Sequence, residues 1–424
     1  MPTLQELTKE ELKQILDRCE TEYSAYKAQH LQLDMSRGKP GPDQLDLTAA
    51  LLDTPIGDLY KAQNGFDTRN YGLLDGIPEA KQLFADLLGV SADNVLVGGN
   101  SSLNLMYDYI SQAYTHGVGG NTPWGQQGDV KFLCPVPGYD RHFAITERFG
   151  ITMIPVAMTE EGPDMDAVEA LVADPAVKGM WCVPMYSNPD GITYSDETVR
   201  RLAKLCPAAP DFRIMWDNAY FIHHLTDEHD SLLNLYTEAA KYQNENMVVV
   251  FASTSKITFP GAGVAALVAS PANLAEIKSR LTIETIGYDK INMLRHVRFF
   301  KNADAVYEHM KLHAAILAPK FNLVLDTLEK RLGGLGIADW HKPNGGYFVS
   351  VNLLSGCAAE TVRLLKEAGV VITPAGATFP YHRDPNDANL RLAPSYPPLG
   401  ELQIAIELFC ICAQIACIKK ILNA

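Results

Sequence analysis

The chain has 424 residues, 47% of them apolar, with 36 basic against 50 acidic side chains and a formal charge of −14. That length allows two domains, or one large domain with a satellite, and the apolar share suffices for a sizeable core. The acidic balance argues against nucleic acid and anionic membrane as partners, so an anionic ligand would have to be held by a local site.

At the N terminus, "MPTLQELTKEELKQILDRCETEYSAYKAQ" lacks the basic-then-apolar order of a secretory signal, and Thr8 with Glu11 predicts a capping box opening an amphipathic helix. No apolar run is expected to reach membrane-spanning length, and a cytoplasmic protein is expected. Short β-rich runs follow, "NVLVGG", "VKFLCP", "GITMIPVAM", "GMWCVPMY", "RIMWDNAY", "MVVVFAS" and "GVAALVAS", separated by helical stretches such as "ETVRRLAKLC". This alternation predicts an α/β protein with a mostly parallel sheet and helices on both faces. From about residue 274 to 333 the pattern turns helical, with Pro319 predicted to open a new helix over "KFNLVLDTLEKRL". "GGYFVSVNL", "GVVITPAG" and "NLRLAPS" then read as strands of a smaller α+β C-terminal domain.

The cysteines, Cys19, Cys134, Cys182, Cys206, Cys357, Cys410, Cys412 and Cys417, show neither C-x-x-C nor zinc spacing and are expected to be reduced, buried thiols. In "FCICAQIAC", Cys410 and Cys412 fall on different sides of one helix, which favours core packing over a metal site. "FIHHLTDEH" is not expected to bind metal, because adjacent His223 and His224 would face opposite ways in a strand. "GAGVAA" imitates part of a dinucleotide fingerprint but precedes a strand instead of following one.

In an open parallel sheet, ligands sit at the carboxyl edge, so the polar residues after each apolar run belong together. They are Asn100, Ser101 and Ser102 after "VLVGG", Tyr139 after "FLCPVPG", and Asn188 of "SNPDG" after "GMWCVPMY". Asp217 and Tyr220 follow "RIMW", and Ser253, Ser255 and Lys256 follow "VVVFA". An amine can hold an aldehyde and a carboxylate can keep a ring nitrogen protonated, which is what a Schiff-base enzyme needs. Singly, each residue has an ordinary explanation: a surface lysine, an acid bonded to loop amides, a turn, a helix N-cap. Together they predict a site, with Asn100 and Ser101 where a glycine turn enters a helix and an anion can be held.

"SNPDG", "DNAY" and "STSK", in that order, resemble the signature of the pyridoxal-phosphate enzymes of fold type I, the class I and II aminotransferase superfamily, and the resemblance covers nearly the whole chain. "LDMSRGKP", "RNYGLLDGIPEAK", "CPVPGYDRHFAI", "SKITFPGAGVA" and "IGYDKINMLRHVRF" are most similar to the bacterial type Ic aspartate aminotransferases, a group also labelled MocR-like or alanine–glyoxylate aminotransferase-like. The resemblance implies the pyridoxal-phosphate-dependent transferase fold type I. An N-terminal helical arm and part of the small domain would occupy 1–50, the large cofactor-binding domain 51–310, and the small C-terminal domain 311–424.

It also implies roles. Lys256 would carry pyridoxal 5'-phosphate as a Schiff base and shuttle a proton to and from the substrate α-carbon, while Asp217 pairs with the pyridinium nitrogen. Tyr220 and Asn188 would hydrogen-bond the ring's phenolic oxygen, Tyr139 would stack on the ring, and Asn100, Ser101, Ser102, Ser253 and Ser255 would serve the phosphate end. Tyr71 would reach the phosphate of the neighbouring subunit in a homodimer with shared sites. Gly261, Ala262 and Gly263 stand where many relatives carry a phosphate-binding arginine, so the phosphate would lean on hydroxyls and helix amides. Arg391 would grip the substrate α-carboxylate, with Asn188 touching it; the other reading of Arg391 is an interdomain salt bridge. For a distal carboxylate Lys290 leads, with Arg37 and Arg295 as alternatives. The implied reaction is transamination between an amino acid, aspartate or glutamate, and a 2-oxo acid, 2-oxoglutarate or oxaloacetate. A decarboxylase or β-lyase would use the same machinery. A non-catalytic MocR-type effector-binding domain is disfavoured, because only the residues before Leu33 precede "LDMSRGKP", too few for a helix-turn-helix domain and linker.

Overall fold

The apolar runs become strands because both of their faces are covered. In the computed structural model, which describes residues 3–54, 56–57 and 59–423, the strands Val177–Cys182, Arg213–Asp217 and Val248–Ser253 are buried at every position. Continuous burial of this kind is expected of parallel strands between two helical layers. They form the centre of an eight-stranded sheet in the order Val95–Val97, Ala265–Val268, Val248–Ser253, Arg213–Asp217, Val177–Cys182, Lys131–Val136, Thr152–Thr159, Gly162–Pro163. The five strands from Val248–Ser253 to Thr152–Thr159 run parallel; Val95–Val97 and Gly162–Pro163 at the edges, and Ala265–Val268, pair antiparallel.

Side chains alternate between two cores along each strand, as a period of two requires. Ile214, Trp216, Val248 and Val250 face one core; Phe132, Trp181, Met215, Val249 and Phe251 face the other. Asp217 pairs in register with Phe251, and Trp181 with Met215. The carboxylate at the strand end therefore lies on the face that carries Trp181.

A third core joins the two ends of the chain. Leu4, Leu12, Cys19 and Met35 pack with Phe321, Val351, Leu392 and Phe409. The predicted capping box opens the helix Lys9–Lys27, with Thr8 N donating to Glu11 Oε2 at 2.9 Å and Glu11 N to Thr8 Oγ1 at 3.3 Å. A three-stranded antiparallel sheet, Ala338–Trp340, Val349–Leu353 and Asn389–Leu392, and a parallel pair, Leu33–Met35 with Val370–Ile372, complete this region.

The structure corrects several expectations. Pro319 does not open a helix; it lies inside the helix Ala303–Leu332, which runs from the first core at Val306 and Met310 into the third at Leu317 and Phe321. A proline inside a helix removes one hydrogen bond, and apolar contacts on both sides of it hold the helix together. The C-terminal helix Leu399–Leu422 is, contrary to expectation, long and apolar enough to cross a membrane by length and composition. Here it is a core helix, with Leu402, Ile406, Phe409 and Ile411 buried together with Cys410, Cys412 and Cys417. Cys206 is exposed, whereas the other seven cysteines are buried as expected. The "FIHH" stretch is a turn with an isolated bridge from His224 to Gly345, not a strand.

Candidate active site

Asp217 is buried at the end of its strand, and its Oδ2 lies 3.0 Å from His142 Nε2. A carboxylate only accepts, so this nitrogen carries the proton. The imidazole lies flat on Trp181, with ring centroids 4.3 Å apart and planes 8° from parallel. Trp181 Nε1 donates to Thr146 Oγ1 at 2.8 Å, which donates to His142 O at 2.8 Å, so the ring is clamped from two sides. Asp217 Oδ1 is buried and has no hydrogen-bond partner among the described residues. A buried acceptor left without a donor is costly, so this oxygen requires an N–H or O–H from outside the chain. His142 was not anticipated from sequence; its signal is its place three residues beyond Tyr139 on the helix Asp140–Arg148.

Lys256 follows the neighbouring strand Val248–Ser253. Its Nζ lies 5.0 Å from the centroid of the Tyr220 ring and 5.7 Å from that of Tyr347, two buried rings 6.1 Å apart. Burial pulls the lysine's pKa below its ordinary value, while the Asp217 charge pulls it back up. The peptide just beyond is fixed: Ile257 O lies 3.0 Å from His309 Nε2 and 3.1 Å from His313 Nε2. His223, weighed from the sequence only as a metal ligand, lies in this cluster. It is buried edge-on to Tyr220 and Tyr347 beside the Lys256 backbone, and burial with the Lys256 charge pulls its pKa well below the ordinary value. Burial pushes the hydroxyls of Tyr220 and Tyr139 well above their ordinary pKa, with Asp217 adding to both, so each remains a proton donor.

Asn100, Ser101, Ser253 and Ser255 lie together where the glycine turn enters the helix. Gly98 N donates to Ala265 O at 2.9 Å and Ala265 N to Gly99 O at 3.1 Å, and Gly99 takes φ +69°, which glycine adopts without strain. Ser101 caps the helix Ser102–His116 by accepting from Leu103 N at 3.2 Å. Ser253 Oγ donates to Ser255 Oγ at 3.0 Å, and Ser255 Oγ to Asn100 O at 3.5 Å, tying the lysine's turn to the helix entry. Gly263, in the stretch that replaces an arginine, abuts this cluster: a Cβ there would lie 3.2 Å from Asn100 O, whereas Gly261 faces open space.

Asn188 and Arg391 meet. Arg391 Nη1 donates to Asn188 Oδ1 at 3.0 Å and to Asp140 Oδ1 at 2.9 Å, Nε donates to Thr373 Oγ1 at 3.3 Å, and the guanidinium carbon lies 4.8 Å from the Phe348 ring centroid. Within "SNPDG", Gly191 N donates to Ser187 O at 2.7 Å, closing the turn that sets Asn188 against the arginine. Arg37 is exposed beside Gly38, whose Cβ would lie 2.4 Å from Phe348 Cζ, so its loop leans on the ring under Arg391. Arg295 has a buried Nε without a partner among the described residues. Tyr71 stands 75% exposed and outside this cluster. Lys290 is 4% exposed, with Nζ donating to Tyr288 O at 3.2 Å.

A buried amine and an acid with one unpaired oxygen at the ends of adjacent parallel strands, faced by an arginine from the three-stranded sheet, make the arrangement expected from the resemblance to the fold type I aminotransferases. A family described as aspartate amino-transferase matches residues 7–424. An aspartate aminotransferase of Corynebacterium glutamicum is 46% identical over 422 residues, 99% of this chain and 98% of that one. The crystal structure of an aspartate transaminase from Corynebacterium glutamicum matches with a TM-score of 0.97 at 46% identity, covering 99% of each chain. The α-aminoadipate aminotransferase LysN from Thermus thermophilus, complexed with N-(5'-phosphopyridoxyl)-L-leucine, shares the fold with a TM-score of 0.71 at 19% identity, covering 92% of this chain and 93% of its own. The chain belongs to the aspartate aminotransferase family, and its activity is that of an aminotransferase.

Proposed function

We propose that this aminotransferase exchanges an amino group between aspartate or glutamate and a 2-oxo acid, 2-oxoglutarate or oxaloacetate, using pyridoxal 5'-phosphate attached to Lys256. The observation that carries the reading is the half-satisfied Asp217: His142 holds one oxygen and the other lacks a donor, which a protonated pyridine nitrogen would supply. When bound, the cofactor offers a sink for the electrons left at the substrate α-carbon. Asp217 holds the proton at the ring nitrogen. Lys256, whose amine is made easier to deprotonate by burial, takes the proton from the α-carbon and returns one in the second half of the exchange. Tyr220 and Asn188 would hold the ring's phenolic oxygen, and Tyr139 would pack against the ring. Asn100, Ser101, Ser102, Ser253 and Ser255 receive the phosphate at the helix entry. Arg391 grips the α-carboxylate, and the burial of Lys290 leaves Arg37 and Arg295 to read a distal one.

We further infer a cytoplasmic homodimer, in which 51–310 holds the cofactor and 311–424, with part of 1–50, presents Arg391. Its support is one exposed surface: Tyr71 is bonded through the next residue, Gly72 N to Ile286 O at 3.2 Å, to a segment whose Ile283 and Ile286 are both exposed. Borohydride reduction followed by peptide mapping should place the cofactor on Lys256, and a donor screen with 2-oxoglutarate as acceptor should rank aspartate first. A label elsewhere, or alanine equal to aspartate, would count against this assignment.

A further inference from the structure

Arg391 is a cation taken out of water, 7% exposed on the strand Asn389–Leu392, and a buried guanidinium without a countercharge is strongly unfavourable. Of the three groups it bonds, Thr373 and Asn188 are neutral; Asp140 alone among them brings a negative charge. Asp140 comes from the other region of the molecule, as the first residue of the helix Asp140–Arg148, where the helix dipole favours an anion. Its turn is docked on the C-terminal region by Gly138 N donating to Thr378 O at 2.8 Å. Its carboxylate keeps 28% of its surface exposed, so solvent and ligands reach it.

We infer that Asp140 is a positioning residue that occupies Arg391 in place of a substrate carboxylate and yields to it when substrate binds; this rests on the reading of Arg391 as the carboxylate grip. A guanidinium has five N–H groups, and a bidentate grip uses two parallel ones along an edge, Nε with Nη2 or Nη1 with Nη2. Thr373 engages Nε, while Asp140 and Asn188 engage both hydrogens of Nη1. Each edge therefore has one donor already in use. On the end edge an incoming carboxylate must take a place held by the protein. On the side edge it displaces Thr373 and meets a guanidinium that Asp140 on Nη1 already neutralises. In both cases Asp140 opposes binding, and the substrate then supplies the countercharge itself. Between turnovers the arginine stays neutralised and aimed, and an amine without a carboxylate cannot replace the charge it would displace.

Asp140→Asn tests this in the holoenzyme. The expected result is a fall of about three- to tenfold in KM for aspartate and in Kd for succinate, an unreactive dicarboxylate followed by the visible spectrum, with kcat changed less than about twofold. Asp140→Glu, which keeps the charge, should return Kd toward the wild-type value. Asp140→Ser serves if the asparagine variant does not fold, with the same direction expected. An unchanged or raised succinate Kd in a neutral variant that melts like the wild type overturns the inference. Arg391→Lys, measured alongside, tests the underlying reading separately: if it leaves KM for aspartate unchanged, the grip itself is elsewhere, whatever Asp140 does.

Discussion

Asp217 and Arg391 are buried charges of opposite sign at the two ends of one site, and the chain satisfies them differently. Asp217 has one oxygen on His142 and one with no donor among the described residues, whereas Arg391 engages three acceptors. A half-satisfied buried carboxylate carries a standing cost that a resident guest with an N–H would remove. An arginine matched by a countercharge is stable alone and must be reopened for every transient guest. The supports differ in the same sense. His142 and Trp181 belong to the large sheet and a helix packed on it, while Thr373, Asn188, Asp140 and Phe348 reach Arg391 from four separate segments.

The largest effect expected follows from the acid end. Asp217→Asn keeps the shape and the neighbour His142 but cannot hold a proton on a ring nitrogen, so kcat should fall about 10³-fold while the cofactor stays covalently attached. Steady-state rates and the visible spectrum of the same preparation measure the two parts. The contrast breaks if kcat stays near wild type, because Asp217 would then be another structural acid like those in surface turns.

Lys290 sharpens the comparison as a third buried charge, its Nζ donating to the carbonyl of Tyr288 and its pKa pulled below the ordinary value by burial while the Asp289 charge raises it. It has neither the vacant valence of Asp217 nor the exposed, displaceable partner of Arg391. Lys290→Ala should therefore leave the ratio of kcat/KM for aspartate over alanine within about threefold of wild type. A collapse of that ratio for aspartate alone would show that Lys290 reads the distal carboxylate after all.

The polar residues at the strand ends were legible because each follows an apolar run directly, and the carboxyl edge of a parallel sheet collects them whatever the loops do. Lys256, Asp217, Tyr220 and Asn188 all follow from that rule. What was not legible lies in contacts across long stretches of chain. His142 meets Asp217 across 75 residues and Asp140 meets Arg391 across 251. Local periodicity tells which face of a helix is buried, not which distant side chain it meets, so "GYDRH" gave no sign that its acid and its histidine serve opposite ends of one site. Pro319 misled for the converse reason: its local preference for a helix start was overridden by packing on both sides, at Leu317 and Phe321. Lys290 has the sequence interval of a substrate reader, and that interval carries no sign of its burial.

The smallest effect expected concerns Asp190, two residues beyond Asn188 in "SNPDG" and a buried acid like Asp217, but without a histidine to hold it. Burial pushes its pKa up to about 7, the Ser350 hydroxyl draws it part of the way back, and the Asp339 charge raises it. An unfolded aspartate titrates near 3.9, so the folded state favours the neutral carboxyl. The contribution of this group to stability is then fully present below about pH 4 and is lost as pH rises toward 7. Asp190→Asn is neutral throughout and should melt with the wild type at pH 4 but about 2–4 °C above it at pH 8. The readout is the difference between the two melting curves, which cancels every other titrating group. Parallel Tm profiles across that range would mean that Asp190 is ionised in the folded protein at no cost, and that the turn carrying Asn188 is as insensitive to pH as the amide itself.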